Sequence, residues 1–264
     1  MKITVKSIHD KKGKEKIVAL TAYDFPFARI LDETGVDLIL IGDSLGMVLL
    51  GYESTLRVSL REMLHHTKAV SRAVKRALVV SDMPFGSYQA SADQAFRSAK
   101  RLIQEGGAEA VKLEGGGPII KTVKTLVKAS IPVMGHLGMT PQNATSLGGY
   151  KVQGREPKQA RQILDDAVRL EEAGVFSLVL ECVPRRLAER ITQKLSCPTV
   201  GIGAGPKTDG QILVLHDLLG FQNSVHPRFV RPYADFEEAA RKAFSRYAAD
   251  VRSGSFPSLR ESYE

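Results

Sequence analysis

Short apolar runs rich in β-branched residues alternate with longer amphipathic segments along this chain of 264 residues. The short runs predict buried strands and the longer segments predict helices, so the alternation favours βα units around a parallel sheet. Eight strands are predicted, at residues 17–22, 37–42, 77–81, 110–113, 131–135, 177–180, 198–202 and 211–215. Only a glycine-rich connection separates the last two, so the seventh helix is expected to be short or missing. The chain is therefore predicted to be a single α/β domain over residues 1–264, a (βα)8 TIM barrel with residues 221–264 as a C-terminal helical extension.

Acidic residues end several of the predicted strands. Asp43 follows the strand in LILIGDS, Asp82 ends LVVSD, Glu114 ends AVKLE and Glu181 ends LVLE. All strand C-termini of a parallel barrel open onto one face, so these carboxylates are expected to converge there. Converging carboxylate oxygens suit a hard cation such as Mg2+. The pattern predicts metal-assisted chemistry with Glu181 placed to act as a base, although Asp43 alone fits a helix cap equally well.

Two basic side chains are predicted at the same end of the barrel. Lys112 and Glu114 share a face of their strand, and Lys112 lies one layer deeper. A buried Lys needs a partner, which a carboxylate or an anionic substrate would supply. A structural Lys112–Glu114 ion pair is the alternative. His136 ends the fifth strand, where both a substrate contact and a hydrogen-bonded structural role fit it.

The bulk composition, with 43% hydrophobic and 25% charged residues, is that of an ordinary globular protein. No apolar run approaches the roughly 20 residues that span a bilayer, and no apolar stretch follows the basic N-terminus as in a secretory signal. Cys182 and Cys197 form no metal or redox spacing, so a cytoplasmic, reducing setting is the simplest expectation. Cys182 alternates with Glu181 and is expected to pack in the helix layer.

The formal net charge of +8 comes from 37 basic and 29 acidic residues. Such an excess can accompany an anionic partner. The basic residues are spread along the chain, however, and no basic motif with interleaved aromatics marks a nucleic-acid surface. Nucleic-acid binding and membrane binding are therefore not expected, and small anionic substrates explain the charge as well.

Other segments carry local signals. Residues 44–60 and 137–157 are predicted as long loops at the carboxylate end, of the kind that form lids or binding loops. Ser91 and Gln94 predict a capping box, in which each side chain satisfies a free backbone amide. The tail carries a helical stripe of Phe236, Ala240, Ala243 and Tyr247. The glycines of GIGAGPKTDG at 201–210 lack the G-x-G-x-x-G spacing of a dinucleotide site and favour a tight barrel loop.

Taken together, these stretches resemble the ketopantoate hydroxymethyltransferase family from about residue 3 to 257. The matching motifs are TAYD at 21–24, GDSLGMVLLGYEST at 42–55, DMPFGSY at 82–88, VKLEGG at 111–116, GHLGMTPQ at 135–142, GGYKVQGR at 148–155, LECVP at 180–184, GIGAG at 201–205, DGQILVLHDLLG at 209–220 and PRFVRPYADFEEA at 227–239. Arg57, where the family usually has Pro, and the Asn143–Ala144 pair depart from the pattern, and both lie in loops.

The resemblance implies a Mg2+-dependent, aldol-type transfer in pantothenate biosynthesis. The one-carbon unit comes from 5,10-methylenetetrahydrofolate, and the acceptor is 3-methyl-2-oxobutanoate, which chelates the metal through its keto and carboxylate oxygens. The resemblance implies that Asp43, Asp82 and Glu114 bind the metal, Glu114 either directly or through water. It implies that the 2-oxo acid contacts Asp43, Ser44, Asp82 and Lys112. Glu181 is the implied general base, and His136 is a further active-site residue that contacts the substrate. A homo-oligomer, often a decamer in the family, is also implied.

Two other functions compete with this interpretation. Barrel lyases of the isocitrate lyase and phosphoenolpyruvate mutase type also use Mg2+-bound 2-oxo acids, but they carry a catalytic cysteine in a KKCGH-like loop. The comparable stretch here reads GGYKVQGR and lacks that nucleophile. A non-catalytic anion-binding or nucleic-acid-binding protein rests on the net charge alone, and salt-sensitive DNA binding would be its signature.

Overall fold

A closed barrel of eight parallel strands dominates the computed structural model, which describes residues 1–221 and 227–264. The strands follow one another around the barrel in chain order, and the last pairs with the first. Their bounds are β1 Ile17–Thr21, β2 Leu38–Ile41, β3 Leu78–Asp82, β4 Ala110–Glu114, β5 Val133–Gly138, β6 Ser177–Glu181, β7 Thr199–Ile202 and β8 Gly210–Leu213. The predicted (βα)8 TIM barrel is confirmed, because every predicted strand overlaps an observed one.

Helices alternate with these strands. Their bounds are α1 Val5–Asp10, α2 Phe25–Glu33, α3 Leu45–Val48, α4 Leu60–Ala73, α5 Ala92–Gln104, α6 Ile120–Lys128, α7 Pro157–Glu172, α8 Arg185–Lys194, α9 Leu215–Leu219 and α10 Phe236–Ser253. Short 3-10 turns occupy Thr55–Arg57, Gly117–Ile119, Pro141–Asn143 and Leu259–Glu261. Residues 203–209, all of them described, form no helix between β7 and β8, as the sequence predicts.

Alternate strand residues fill the barrel interior. Because side chains along a strand point to opposite faces, every second residue of each strand enters the barrel. The buried cluster they form contains Ala19, Leu38, Leu40, Leu78, Val80, Ala110, Met134, Val179, Val200 and Ile212. Ile8 of α1 is fully buried and belongs to the same cluster, so the N-terminal helix packs against the interior from the end where the strands begin. The opposite end is left to the polar residues.

The helix caps follow the sequence in part. Ser59 and Glu62 form a reciprocal capping box at the start of α4. Ser91 accepts a hydrogen bond from the Gln94 amide at the start of α5, as predicted. The reciprocal half of that predicted box is wrong, because the Gln94 side chain accepts from Ala90 N and donates to Gly86 O instead. The Gln94 side chain therefore ties the start of α5 to the turn before it.

Residues 215–264 form a compact unit of their own, distinct from the unit of residues 1–214. Its main element is α10, whose 18 residues confirm the predicted tail helix. Asp235 caps the helix start, and Gly254 ends it in the left-handed conformation, at φ +74. Residues 222–226 of the predicted extension lie outside the described residues, and the single-domain boundaries over 1–264 and 221–264 stay a prediction.

A helix that spans a membrane is long and apolar along its whole length, and the described helices differ from this. None of them combines the length and the apolar character that crossing a bilayer needs.

A fully paired carboxylate stabilises the end of the barrel where the strands begin. Asp209 precedes β8 and accepts hydrogen bonds from Thr199 N at 2.8 Å, Gly13 N at 3.2 Å and Lys12 Nζ at 2.8 Å. Burial opposes the charge on Asp209, but Lys12 and the two backbone amides outweigh burial and lower its pKa. The charged form of Asp209 therefore ties the segment after α1 to β7 and β8.

The Asp209→Asn variant is expected to lose about 3 kcal/mol of unfolding free energy at pH 7, because it removes one partner of a buried charge pair. Because the pKa of Asp209 is lower in the folded protein than the value of about 3.9 in the unfolded chain, its charge stabilises the folded protein fully at pH values above about 3.9. This stabilisation is lost as the pH falls through the folded-state pKa. The difference between wild type and variant should therefore be constant from pH 7 to about 5 and shrink below about 4. Urea unfolding at several pH values measures it, and a difference that stays constant down to pH 3 would contradict the assignment.

Candidate active site

Polar residues continue the interior columns of β3 to β6 at the end where these strands stop. The alternation that places Val80, Ala110, Met134 and Val179 inside the barrel also directs the residues two positions later inward. Those residues are Asp82, Lys112, His136 and Glu181, with Glu114 one step further along β4. In the sheet register Asp82 lies beside Lys112, and Glu114 lies beside His136. Four neighbouring strands thus bring the predicted site residues together.

Asp43 and Ser44 reach the same place from the turn after β2. The Asp43 amide donates to Asp82 Oδ2 at 3.0 Å, which fixes this turn against β3. Ser44 directly precedes α3, its side chain makes no capping hydrogen bond, and its Oγ lies 2.9 Å from the hydroxyl of buried Tyr23. Asp43 does not cap α3, so the structure removes the competing helix-cap interpretation of this residue.

Lys112 pairs with Asp82 on the neighbouring strand. Its Nζ lies 2.8 Å from Asp82 Oδ1, and both side chains are about 4% exposed. The contact is an ion pair without the alignment of a directed hydrogen bond, because Asp82 Oδ1 has no hydrogen-bond partner among the described residues. The sequence also allowed an ion pair between Lys112 and Glu114 on the same strand, but Lys112 pairs with Asp82 instead. Lys112 stays charged, since burial opposes its charge but the surrounding carboxylates raise its pKa.

His136 lies between two carboxylates. Its Nδ1 is 3.4 Å from Glu114 Oε1, and its Nε2 is 3.2 Å from Glu181 Oε2. Burial and nearby Lys112 oppose a charge on the ring, but Glu114 and Glu181 outweigh them and raise the pKa of His136 to about 9. Lys112 Nζ also lies 3.3 Å from Nδ1, a contact between two cations that Glu114 balances. His136 is therefore protonated at neutral pH and links Glu114 to Glu181.

The carboxylates differ in how well their charge is compensated. Burial, together with the charges of Asp82 and Glu114, raises the pKa of Asp43 well above its usual range. Burial also raises the pKa of Asp82, although Lys112 opposes the shift. For Glu114, burial is outweighed by His136, Lys112 and a backbone amide, so its pKa is lowered. Asp43 is thus the carboxylate whose charge most needs a further positive partner.

The charges and oxygen atoms of this cluster suit a divalent cation. Fully ionised, Asp43, Asp82, Glu114 and Glu181 face only two cations, so two negative charges remain uncompensated. Asp82 Oδ1 is buried and contacts Lys112 Nζ without an aligned hydrogen bond, so it keeps a lone pair that could face a cation. Within residues 1–221 and 227–264, no three His, Cys, Asp or Glu side chains are already arranged around one point as metal ligands. The donor set fits Mg2+, which binds one or two carboxylates and completes its shell with substrate oxygens and water.

Gln142 and Tyr88 also belong to this cluster, although sequence reasoning did not single them out. Gln142 Nε2 donates to Asp43 Oδ2 at 2.8 Å, and the Gln142 amide donates to Glu114 Oε2 at 3.0 Å. The Tyr88 hydroxyl accepts from Glu114 N at 3.2 Å. Both residues lie in motifs that carry the family resemblance, DMPFGSY and GHLGMTPQ, and that was the only signal for them.

The two predicted long loops contain short helices. α3 and the Thr55–Arg57 turn lie in the first, and the Pro141–Asn143 turn lies in the second. The loops meet where the Tyr150 hydroxyl donates to Met47 Sδ at 3.5 Å. Both therefore cover the carboxylate end of the barrel, as their position in the sequence predicts.

The segment that follows Glu181 differs from the prediction. Cys182 is only partly buried and has a left-handed backbone, at φ +47, so it does not pack in the helix layer. Its carbonyl accepts from Gln153 N at 2.9 Å, which ties the second long loop to the end of β6. Burial and the charge of Glu181 raise the pKa of the Cys182 thiol to about 12, so the thiol stays protonated at neutral pH.

A surface cavity of about 420 Å³ lies elsewhere, lined by Lys16, Ile17, Val18, Gly205, Pro206 and Gln211. It is open and largely apolar, and its lining contains no carboxylate, thiol or imidazole. This cavity therefore does not compete as a catalytic site, because the carboxylates and the imidazole of the candidate site lie in the barrel mouth.

Comparisons with known proteins agree with the resemblance seen in the motifs. A curated 3-methyl-2-oxobutanoate hydroxymethyltransferase of Thermoanaerobacter sp. (strain X514) is 57% identical over 253 residues, 96% of this chain and 92% of the relative. The protein of that name from Nitratidesulfovibrio vulgaris (strain DP4) is 53% identical over 99% of this chain and 85% of the relative.

Solved structures show the fold at lower identity. A phosphonopyruvate hydrolase in complex with oxalate and Mg2+ superposes with a TM-score of 0.63 at 12% identity, covering 98% of this chain and 93% of that one. At that identity the likeness concerns the barrel alone. The sequence model described as ketopantoate hydroxymethyltransferase matches residues 2–259. This chain belongs to the ketopantoate hydroxymethyltransferase family.

Proposed function

We propose that this protein transfers a hydroxymethyl group from 5,10-methylenetetrahydrofolate to 3-methyl-2-oxobutanoate and forms 2-dehydropantoate. The observation that carries the proposal is the placement of Glu181 beside protonated His136, at the rim of a buried cluster of Asp43, Asp82, Lys112 and Glu114. Relatives above 50% identity that bear the hydroxymethyltransferase name support the same reaction.

We assign the metal site to Asp43, Asp82 and Glu114, with Mg2+ as the ion. The support is the uncompensated negative charge, which raises the pKa of Asp43, and the oxygen character of the donor set. When bound, Mg2+ would supply Lewis-acid polarisation of the substrate's keto oxygen. The remaining steps belong to the side chains of the cluster.

Glu181 is the proposed base. Its side chain is 17% exposed, whereas the other carboxylates of the cluster are almost completely buried. It would take the proton from C3, which is acidified by the neighbouring ketone, and leave an enolate. His136 Nε2, 3.2 Å away, orients the Glu181 carboxylate. A base held by a buried cation in this way keeps one orientation toward the substrate.

Lys112 and the turn after β2 are proposed to hold the 2-oxo acid. Lys112 would compensate the carboxylate of the substrate and the negative charge that develops on its keto oxygen. Asp43, Ser44 and Asp82 would position the acid, and His136 would lie against its far side. This cluster is nearly inaccessible, so the loops that cover it must open for the substrate and close behind it.

The transfer balances with these components. The proton of C3 goes to Glu181, and the enolate carbon forms a bond to the methylene carbon of the folate. Both bonds from that carbon to N5 and N10 break, one replaced by the new carbon–carbon bond and the other by a bond to a water oxygen. The two nitrogens take up the proton held by Glu181 and one proton of the water. Water supplies the hydroxyl oxygen, and tetrahydrofolate is the second product. The partners proposed are therefore two small molecules, and the decameric assembly and the cytoplasmic location remain predictions from the family resemblance.

Exchange of the C3 proton in D2O tests the proposal, because enolisation precedes any bond to the one-carbon unit. Proton NMR of 3-methyl-2-oxobutanoate with the protein should show loss of the C3 signal when Mg2+ is present. Subsequent addition of 5,10-methylenetetrahydrofolate should give a new hydroxymethyl signal. Folded protein that produces neither signal change with all components present would refute the function.

A further inference from the structure

We infer that Gln142 is a positioning residue that holds Asp43 and Glu114 in the orientations that the metal site needs. The inference rests on the proposed function and adds to it a residue without a charge and without a role in proton transfer. Gln142 lies in the loop between β5 and α7, and it is 4% exposed. It connects this loop to two of the three proposed metal-site acids.

The side-chain amide of Gln142 is completely engaged. Its Nε2 donates to Asp43 Oδ2 at 2.8 Å and to the carbonyl of Met83 at 2.9 Å. Its Oε1 accepts from the Tyr88 hydroxyl at 2.7 Å and from Gln89 Nε2 at 3.3 Å. An amide has two donor hydrogens and one acceptor oxygen, and each has a partner at hydrogen-bond distance.

These partners permit only one orientation of the amide. The Met83 carbonyl can only accept a hydrogen bond, so the part of the amide that faces it, and Asp43 Oδ2 beside it, is the NH2. A flipped amide would place an oxygen against two oxygens and would leave the Tyr88 hydroxyl facing two hydrogens. Gln142 therefore fixes the position of Asp43 Oδ2.

A second connection runs through the backbone. The Gln142 amide donates to Glu114 Oε2 at 3.0 Å, so side chain and backbone of one residue hold two different acids. Tyr88 repeats the link, because its hydroxyl donates to Gln142 Oε1 and accepts from Glu114 N at 3.2 Å. Asp43, Glu114, Tyr88 and Gln142 thus form one buried network across three strand-end loops.

Local structure makes Gln142 rigid enough for this role. It is the central residue of the Pro141–Asn143 turn, and Pro141 restricts the backbone at the start of that turn. Asn143 N donates to Thr140 O at 2.8 Å, and Asn143 Nδ2 donates to Thr140 Oγ1 at 3.2 Å. These two bonds join the residue after Gln142 to the residue before Pro141, so the turn keeps its shape and the Gln142 amide stays against Asp43.

The network predicts a specific loss in the Gln142→Met variant, which keeps the size of the side chain, removes the four hydrogen bonds of the side-chain amide and leaves the backbone bond to Glu114 in place. Substitution of partners that orient metal ligands typically weakens metal binding by about 10–100-fold. Calorimetry with Mg2+ and 3-methyl-2-oxobutanoate should show a loss in that range. Titration of Mg2+ alone provides a second readout that does not depend on catalysis.

Gln153→Met is the matched control, because Gln153 lies in the same loop and has the same 4% exposure. Among the described residues, its side chain bonds to the carbonyl of Lys151 and to Gln159 and makes no hydrogen bond to an acid of the cluster. This variant should bind Mg2+ and the 2-oxo acid within about threefold of wild type. Thermal unfolding of both variants separates a loss of stability from a loss of binding.

A Tyr88→Phe variant provides an independent test should Gln142→Met fail to fold, and a loss of about tenfold is expected for it. Wild-type affinity in either folded variant would overturn the inference, and so would equal losses in Gln142→Met and Gln153→Met. Wild-type protein without Mg2+-dependent 2-oxo acid binding would instead refute the proposed function, and the inference with it. A loss confined to Gln142→Met and Tyr88→Phe supports the inference.

Discussion

The Glu181→Gln variant is expected to bind Mg2+ and 3-methyl-2-oxobutanoate as wild type does but to exchange the C3 proton about 10²–10⁴-fold more slowly. The amide has the shape of the carboxylate and keeps an oxygen near His136 Nε2, which lies 3.2 Å from Glu181 Oε2 in the wild type. It cannot accept the C3 proton. The loss therefore concerns proton transfer, and substrate binding should survive it.

Proton NMR in D2O measures the exchange, and calorimetry measures the binding. The matched control is Glu172→Gln, which makes the same change on the exposed side of α7. It should exchange at the wild-type rate. Unchanged exchange in Glu181→Gln would remove Glu181 from the base role, and loss of exchange together with binding would assign it to the substrate or metal site instead.

The second large effect is expected for Asp82→Asn. Asp82 compensates Lys112 at 2.8 Å and accepts the Asp43 amide at 3.0 Å, so the substitution disturbs a cation and a second acid together. The amide supplies a weaker metal ligand and no charge. Mg2+-dependent binding of the 2-oxo acid should fall by at least about 100-fold, the upper end for a partner one shell away from the metal.

Calorimetric titration of the 2-oxo acid with and without Mg2+ tests this expectation. Asp93→Asn is the control, because Asp93 is exposed in the first turn of α5 and pairs with Arg97 on the helix surface. Its binding should equal that of wild type. An Asp82→Asn variant with wild-type affinity would show that the metal is held elsewhere.

The alternation of strands explains why much of the site was predictable. A period of two puts Ala110, Lys112 and Glu114 on one face, and the parallel barrel brings all strand ends to one side. Asp82 and Glu181 follow from the same rule applied to β3 and β6. These positions needed no knowledge of loops, because strand periodicity and topology fix them.

The pairing of side chains between neighbouring strands could not be predicted from the sequence. Lys112 was predicted to need a partner, and a carboxylate on its own strand was one candidate. The observed partner is Asp82, because the sheet register places the two residues side by side on neighbouring strands. Periodicity within one strand does not contain the register between two strands.

Contacts between loops also could not be predicted from the sequence. Tyr88 and Gln142 meet although 54 positions separate them, and neither lies in a periodic pattern. The left-handed backbone of Cys182 moves that residue out of the strand alternation on which its predicted burial depended. In each case a tertiary hydrogen bond or a turn overrides the local pattern.

C3 proton exchange of 3-methyl-2-oxobutanoate in D2O with wild-type protein, before and after removal of Mg2+ by a chelator, shows whether the metal assists enolisation. The account predicts loss of the C3 signal with Mg2+, none with the chelator, and recovery when Mg2+ is returned. Parallel samples with tetrahydrofolate show whether enolisation needs the folate. Exchange that is unaffected by the chelator, or absent with Mg2+ and tetrahydrofolate both present, would contradict it.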